Sequence, residues 1–160
     1  MTTYVFGYGS LINMQENKEL TQPKKSWPVM VNGLKRSLNV HGKNHLVFGV
    51  KDVKTSHCNG ILFKVSPKEL ARLQEREKLY TMKTLDKKQV EFPYKKKIQF
   101  KPADTIVCFY PQTKYVLTKK ELAAKTSSQP LKMQNYLRIC ETGAAAISAD
   151  FYNDFMTTTV

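Results

Sequence analysis

The stretch Val5-Phe6-Gly7-Tyr8-Gly9-Ser10-Leu11-Ile12, VFGYGSLI, opens as a strand and then becomes almost bare backbone. Val5 and Phe6 carry the β-branched and aromatic side chains that favour a strand. Two glycines then flank Tyr8, and a hydroxyl follows at Ser10. Glycine lets main-chain N–H groups approach a ligand closely and turn toward it, while the strand before it fixes where they lie. The segment is therefore a candidate cradle for an anion or a carbonyl oxygen.

Further short apolar, β-branched and aromatic runs follow the same pattern. Residues 4–8, 28–31, 37–40, 45–50, 59–65, 89–92 and 105–110 all read as strands. Asn32-Gly33 and His41-Gly42-Lys43-Asn44 have the chemistry of hairpin turns between them. Helical signals come later. Ser66-Pro67-Lys68-Glu69 combines an N-cap, a proline at the first helical position and a capping-box acid. Thr118-Lys119-Lys120-Glu121 is a weaker copy. A third helix is predicted from Pro130, with Met133, Tyr136, Leu137 and Cys140 on one face and Gly143 placed to end it. Ser148-Ala149-Asp150 opens a final turn or helix carrying Phe151, Tyr152 and Phe155. The expectation is an α+β fold: a mixed, twisted sheet or small β-barrel flanked by a few helices, forming one domain over residues 1–160.

The formal charge of +13 raises the prior for an anionic partner without choosing one. Lys24-Lys25, Lys87-Lys88, Lys95-Lys96-Lys97 and Lys119-Lys120 are scattered rather than gathered on one helix. Strand-borne stacking aromatics of the R-G-F-x-F kind are missing. A solvated basic surface is the simpler reading, with nucleic acid a possible partner but not the favoured one. Cys58, Cys108 and Cys140 form no C-x-x-C pair and have no histidine at metal-ligand spacing, so they read as structural thiols and no metal site is expected. No apolar run approaches the roughly 20 residues of a membrane helix, and no signal-peptide pattern opens the chain. A soluble, cytoplasmic protein is expected. Oligomeric state is not legible.

Among the acids after Ser66, helical geometry singles out one. Leu70 and Leu73 define the core face of the helix, and at 100° per residue Glu77 lies about 20° from Leu70. Glu75 falls roughly 140° away, toward solvent, and Glu69 belongs to the cap. Glu77 is the acid turned inward. Desolvation raises a carboxyl's pKa, which suits it to carrying protons near neutrality. A buried arginine or tyrosine satisfying the same carboxylate is the purely structural alternative.

VFGYGSLI, followed by a helix ending in Leu73-Gln74-Glu75-Arg76-Glu77-Lys78-Leu79-Tyr80, resembles the γ-glutamylcyclotransferase superfamily, in wording nearest its ChaC-like and AIG2-like branches. WPVMVNGLKRSLNVHG, CNGILFKVSPKELARLQERE and YLRICETGAAAISADFY extend the resemblance along nearly the whole chain in the expected order. The basic segment from Lys87 to Lys101 is its least recognisable part. The resemblance implies that Tyr8, Gly9, Ser10 and Leu11 bind a γ-glutamyl group largely through backbone, and that Glu77 transfers protons. It also implies pocket tyrosines, for which Tyr110 in IVCFYP and then Tyr80 are the candidates. Two departures stand out: the family's usual aspartate before the R-E pair is Gln74, and its following glycine is replaced by Lys78-Leu79.

The implied reaction is intramolecular. The α-amine of a γ-glutamyl group attacks its own side-chain amide, closes a five-membered lactam and expels an amine, leaving 5-oxoproline. No cofactor or metal is implied, and the partner is a small γ-glutamyl compound. Holding the two reacting ends together is worth an effective molarity on the order of 10⁵ M or more. A catalytically silent module of the same fold, engaging an acidic partner through its lysines, is the alternative, followed by a related lyase or hydrolase acting on another amide.

Overall fold

The computed structural model describes residues 1–17, 20, 25–42, 45–128 and 130–159. Its strands are β1 (Thr3–Gly7), β2 (Ser26–His41), β3 (Leu46–Val65), β4 (Tyr80–Leu85), β5 (Val90–Glu91) and β6 (Thr105–Pro111). Its α-helices are α1 (Pro67–Arg76), α2 (Lys119–Ser128), α3 (Pro130–Ile147) and α4 (Ala149–Thr158). The strands form one mixed sheet in the order β4-β6-β1-β3-β2-β5. This is the expected α+β class, with the sheet curled as half of a barrel.

β1 lies inside the sheet, parallel to β6 and antiparallel to β3. A strand covered on both faces needs apolar residues at successive positions rather than at alternate ones. Val5 and Phe6 meet that demand and are fully buried. The bare loop that follows β1 is thus anchored in the core of the molecule.

β2 and β3 form a long antiparallel ribbon where the sequence suggests four shorter strands. Asn32-Gly33 is not a hairpin turn. Asn32 pairs with His57 and Leu34 with Asp52, so the single Gly33 faces residues 53–56 of β3 across a bulge. Gly33 supplies the positive φ of 84° that the bulge requires. In the other expected turn, Lys43 and Asn44 lie outside the described residues.

The capping box at Ser66 forms in full: Ser66 accepts from the Glu69 N–H while the Glu69 carboxylate accepts from the Ser66 N–H. Thr118 and Glu121 repeat the arrangement at α2. Ser148 caps α4 by accepting from the Phe151 N–H, and Phe151 and Phe155 carry the buried face of that helix. Gly143 does not end α3, which runs on to Ile147. A Cβ at Gly143 would lie 2.8 Å from the backbone of Asn13, so glycine here permits the helix to pass close over the loop after β1.

β4 was not foreseen. Its sequence, YTMKTL, is half exposed and alternates only over its first four residues, yet it pairs with β6 from Tyr80↔Pro111 to Leu85↔Ile106. It begins just after α1, which places the end of that helix at the sheet edge beside β6.

Candidate active site

Close packing shapes the loop after β1. A Cβ on Gly7 would sit 2.7 Å from that of Leu11, and one on Gly9 would sit 3.0 Å from the Tyr136 hydroxyl and 3.4 Å from Phe48 Cβ. Only glycine fits these positions without displacing a neighbour. Ser10–Ile12 then makes a short 3₁₀ turn. Its internal hydrogen bonds start with Ile12 N–H to Gly9 O at 3.0 Å and Asn13 N–H to Ser10 O at 3.1 Å. The N–H groups of Gly9, Ser10 and Leu11 precede that ladder.

The second component arrives from α1. Leu73 is buried and fixes the inner face of the helix, while Glu75 is exposed. Glu77 caps the helix, its N–H donating to Leu73 O at 2.8 Å, and its own carbonyl accepts from Tyr80 N–H at 3.1 Å as the chain turns into β4. The Glu77 side chain is 17% exposed. It lines the same cavity as Tyr8, Gly9, Ser10 and Leu11, a cleft of about 720 Å³. Two segments separated by most of α1, β2 and β3 in sequence therefore meet across one cleft.

Arg76 links them. Its Nη2 donates to the Ser10 hydroxyl at 3.1 Å, Nη1 to Asn17 Oδ1 at 3.4 Å, and Nε lies 4.0 Å from Glu77 Oε1. Lys78, His41 and His45 add further basic groups to the lining. Glu77 is the only acidic side chain that lines the cleft among the described residues.

Three tyrosines brace the walls. Tyr8 donates its hydroxyl proton to Phe109 O, Tyr80 donates to Phe48 O at 2.7 Å, and Tyr136 accepts from Phe48 N–H at 3.1 Å. Burial pushes all three phenol pKa values well above the ordinary range, and the Glu77 carboxylate nearby adds to the upward shift of each. These phenols stay protonated at any physiological pH. They serve as fixed dipoles and apolar walls, not as bases.

Tyr80 thus joins the loop and Glu77 at the cleft, whereas Tyr110 does not. Consecutive strand residues face opposite sides of a sheet. On β6 it is Phe109 that lines the main cleft. Tyr110 turns to a smaller cavity of about 260 Å³, where its hydroxyl donates to Asp52 Oδ1 at 2.7 Å and Lys83 Nζ sits 4.7 Å from its ring centroid. Gln74, at the position where the resemblance leads one to expect aspartate, is exposed to solvent and does not line the cleft. Lys78 and Leu79 both line it.

Sequence reasoning missed Phe48, Tyr136, Arg76 and the two histidines as lining residues. It also missed Arg36, which is fully buried and donates to the carbonyl of Tyr8 within the loop. A signal for Arg36 was present: it falls between Leu34 and Leu38 on one face of β2, a place where a charged residue needs a specific reason.

Among the described residues no group of three or more His, Cys, Asp or Glu side chains is placed to hold a metal ion. The three cysteines are buried free thiols. Among the described residues no helix is long and apolar enough to cross a membrane.

No family model matches the chain, and no curated protein matches it. Solved structures do. A γ-glutamyl cyclotransferase specific to glutathione, from yeast, is 15% identical with a TM-score of 0.65, over 98% of this chain and 95% of that one. YkqA from Bacillus subtilis gives the same identity and TM-score over 98% of this chain, which spans 53% of the length of that protein. A further structure described as a γ-glutamyl cyclotransferase is 12% identical with a TM-score of 0.55, over 98% of this chain and 99% of that one. The likeness establishes the fold: this chain is folded as a γ-glutamylcyclotransferase.

Proposed function

We propose that the protein is a cytoplasmic γ-glutamylcyclotransferase-type enzyme, which converts the γ-glutamyl group of a small peptide, amino acid or amine to 5-oxoproline and releases the amine. The observation that carries this reading is the meeting of Glu77 with the Gly9–Ser10 backbone in one cleft. Neither partner alone suffices. A lone acid at a helix end is common, and a lone glycine loop has many uses.

In this reading the loop N–H groups hold the substrate's α-carboxylate or meet the charge that develops on the amide oxygen. One preorganised donor of the latter kind is typically worth about 3 kcal/mol. The Glu77 carboxylate takes a proton from the substrate ammonium, and the freed amine attacks the δ-carbonyl carbon. As the tetrahedral intermediate collapses, the C–N bond to the leaving group breaks, the protonated Glu77 gives its proton to the departing nitrogen, and the ring nitrogen becomes the lactam N–H by giving its extra proton to solvent, where the released amine takes one up. Glu77 returns to its starting state. Tyr8, Tyr80 and Tyr136 keep the curled substrate walled off, and Ser10 adds a hydroxyl without acting as a nucleophile.

The direct test is incubation with γ-glutamyl peptides, amino acids and amines and measurement of 5-oxoproline. Formation from any one class supports the reading. If none yields it while the protein is retained on an acidic partner in a salt-sensitive way, the silent-module alternative takes its place.

A further inference from the structure

Among the described residues Arg36 is the most heavily hydrogen-bonded side chain near the cleft, yet it does not line it. It is fully buried in β2. Nη1 donates to Asn59 O at 2.6 Å and to Tyr8 O at 3.2 Å. Nη2 donates to Asn59 Oδ1 at 3.1 Å, Phe155 O at 2.9 Å and Thr158 Oγ1 at 2.9 Å, and Nε donates to Thr159 Oγ1 at 3.0 Å. The guanidinium also stacks over the Phe155 ring, 4.1 Å from its centroid. The two threonine hydroxyls spend their own protons on the carbonyls of Asp154 and Phe155, so their lone pairs face Arg36. One rigid fork thus ties the end of α4 to the sheet and to the loop.

The bond to Tyr8 O has a geometric consequence. In a trans peptide the C=O of one residue and the N–H of the next point in opposite directions. The Tyr8 carbonyl is drawn into the core toward Arg36, so the N–H of Gly9 is turned away from Arg36, and Gly9 itself lines the cleft. We propose that Arg36 is a positioning residue: it sets the plane of the Tyr8–Gly9 peptide so that the Gly9 N–H is presented to a bound anion, and makes that setting depend on the seating of α4. The proposal rests on the γ-glutamyl reading only for the identity of that anion. Lysine cannot replace the fork, because one ammonium cannot reach acceptors spread over the loop, Asn59 and α4 in fixed directions.

The test uses protein labelled with ¹⁵N-glycine, whose seven glycines give a simple spectrum. The ¹⁵N–¹H residual dipolar coupling of Gly9 reports the direction of its N–H, with Gly49 and Gly143, whose peptides make no bond to the Arg36 side chain, as internal references. In Arg36→Lys the Gly9 coupling is expected to change while the references hold, and the Kd for 5-oxoproline is expected to rise about tenfold or more. A folded Arg36→Lys protein with an unaltered Gly9 coupling overturns the proposal. Should that variant fail to fold, the Thr158→Val, Thr159→Val double variant removes two acceptors of the fork and is expected to move the same coupling by a smaller amount; no movement there overturns the proposal equally. If the wild-type protein neither binds 5-oxoproline nor produces it, the functional reading fails, while the Gly9 coupling still decides the role of Arg36.

Discussion

The guanidinium of Arg76 donates to the hydroxyl of Ser10 at 3.1 Å, across 66 residues of chain. The residue immediately before Glu77 is thereby fastened to the residue immediately after Gly9. Its Nε lies 4.0 Å from the Glu77 carboxylate, so the same cation faces both components of the cleft. A cation placed between an acid and a glycine loop holds the two at a set separation and favours an anionic guest.

Gly9→Ala should impair the cleft without unfolding the protein. The added Cβ would meet the Tyr136 hydroxyl at 3.0 Å, tighter than ordinary contact, and that hydroxyl is fixed by the Phe48 N–H. A rise in KM for the γ-glutamyl substrate is expected, with partial recovery in Gly9→Ala, Tyr136→Phe, where the obstructing oxygen is gone. Steady-state kinetics on the two variants checks this. Equal loss in both would place the damage in the backbone and not in that contact.

Tyr80→Phe and Tyr110→Phe should separate. The Tyr80 hydroxyl holds Phe48 O at 2.7 Å inside the cleft wall, so its loss leaves a buried carbonyl short of a partner, at a cost of about 1–3 kcal/mol. Reduced stability and reduced kcat/KM are expected together. Tyr110 faces the smaller cavity, and its removal is expected to leave kcat/KM within about twofold of the wild type, as is usual for a polar contact outside a site. Urea unfolding and initial-rate assays on both variants decide the matter.

Alkaline pH should destabilise the fold from within. Burial pushes the Cys58 thiol up from 9.0 to about 11. Between those values the unfolded chain has released this proton while the native protein retains it, so the stability from this group is complete below pH 9 and lost as pH rises through 11. Two pKa units correspond to about 2.7 kcal/mol at the upper end. The Cys140 thiol, pushed up to about 12, and the raised phenols act in the same direction. Urea unfolding at pH 8 and pH 10.5 is expected to show the loss, and Cys58→Ala is expected to flatten the slope between them.

Much of this molecule was legible from local chemistry. The strand that feeds the loop and the capping box at Ser66 both follow from residue types within a few positions of one another, and such signals survive folding unchanged. The helical angle assigned to Glu77 does not carry over, because α1 ends at Arg76 and Glu77 is its C-cap with φ −92° and ψ 50°; its side chain lines the cleft from the turn into β4. Readings that depended on a distant neighbour fared worse. Gly143 looks like a helix stop until Asn13 is seen against it, and Asn32-Gly33 looks like a turn until β3 supplies extra residues opposite. Tyr110 and Phe109 differ only in strand parity, which sequence fixes within β6 but cannot assign to one cavity or another. Arg36 and Tyr136 gain their roles from partners 28 and 88 residues away. No local pattern encodes such pairs.

The central claim is that the Glu77 carboxylate moves the protons of lactam formation in the cleft it shares with Gly9. It is tested most directly by 5-oxoproline release from the best γ-glutamyl substrate, compared between wild type, Glu77→Gln and the exposed control Glu75→Gln. The account predicts a fall in kcat of about 10²–10⁴ for Glu77→Gln, the usual reach of a general acid–base, with an intact fold and near-normal turnover for Glu75→Gln. Wild-type rates from Glu77→Gln would contradict it.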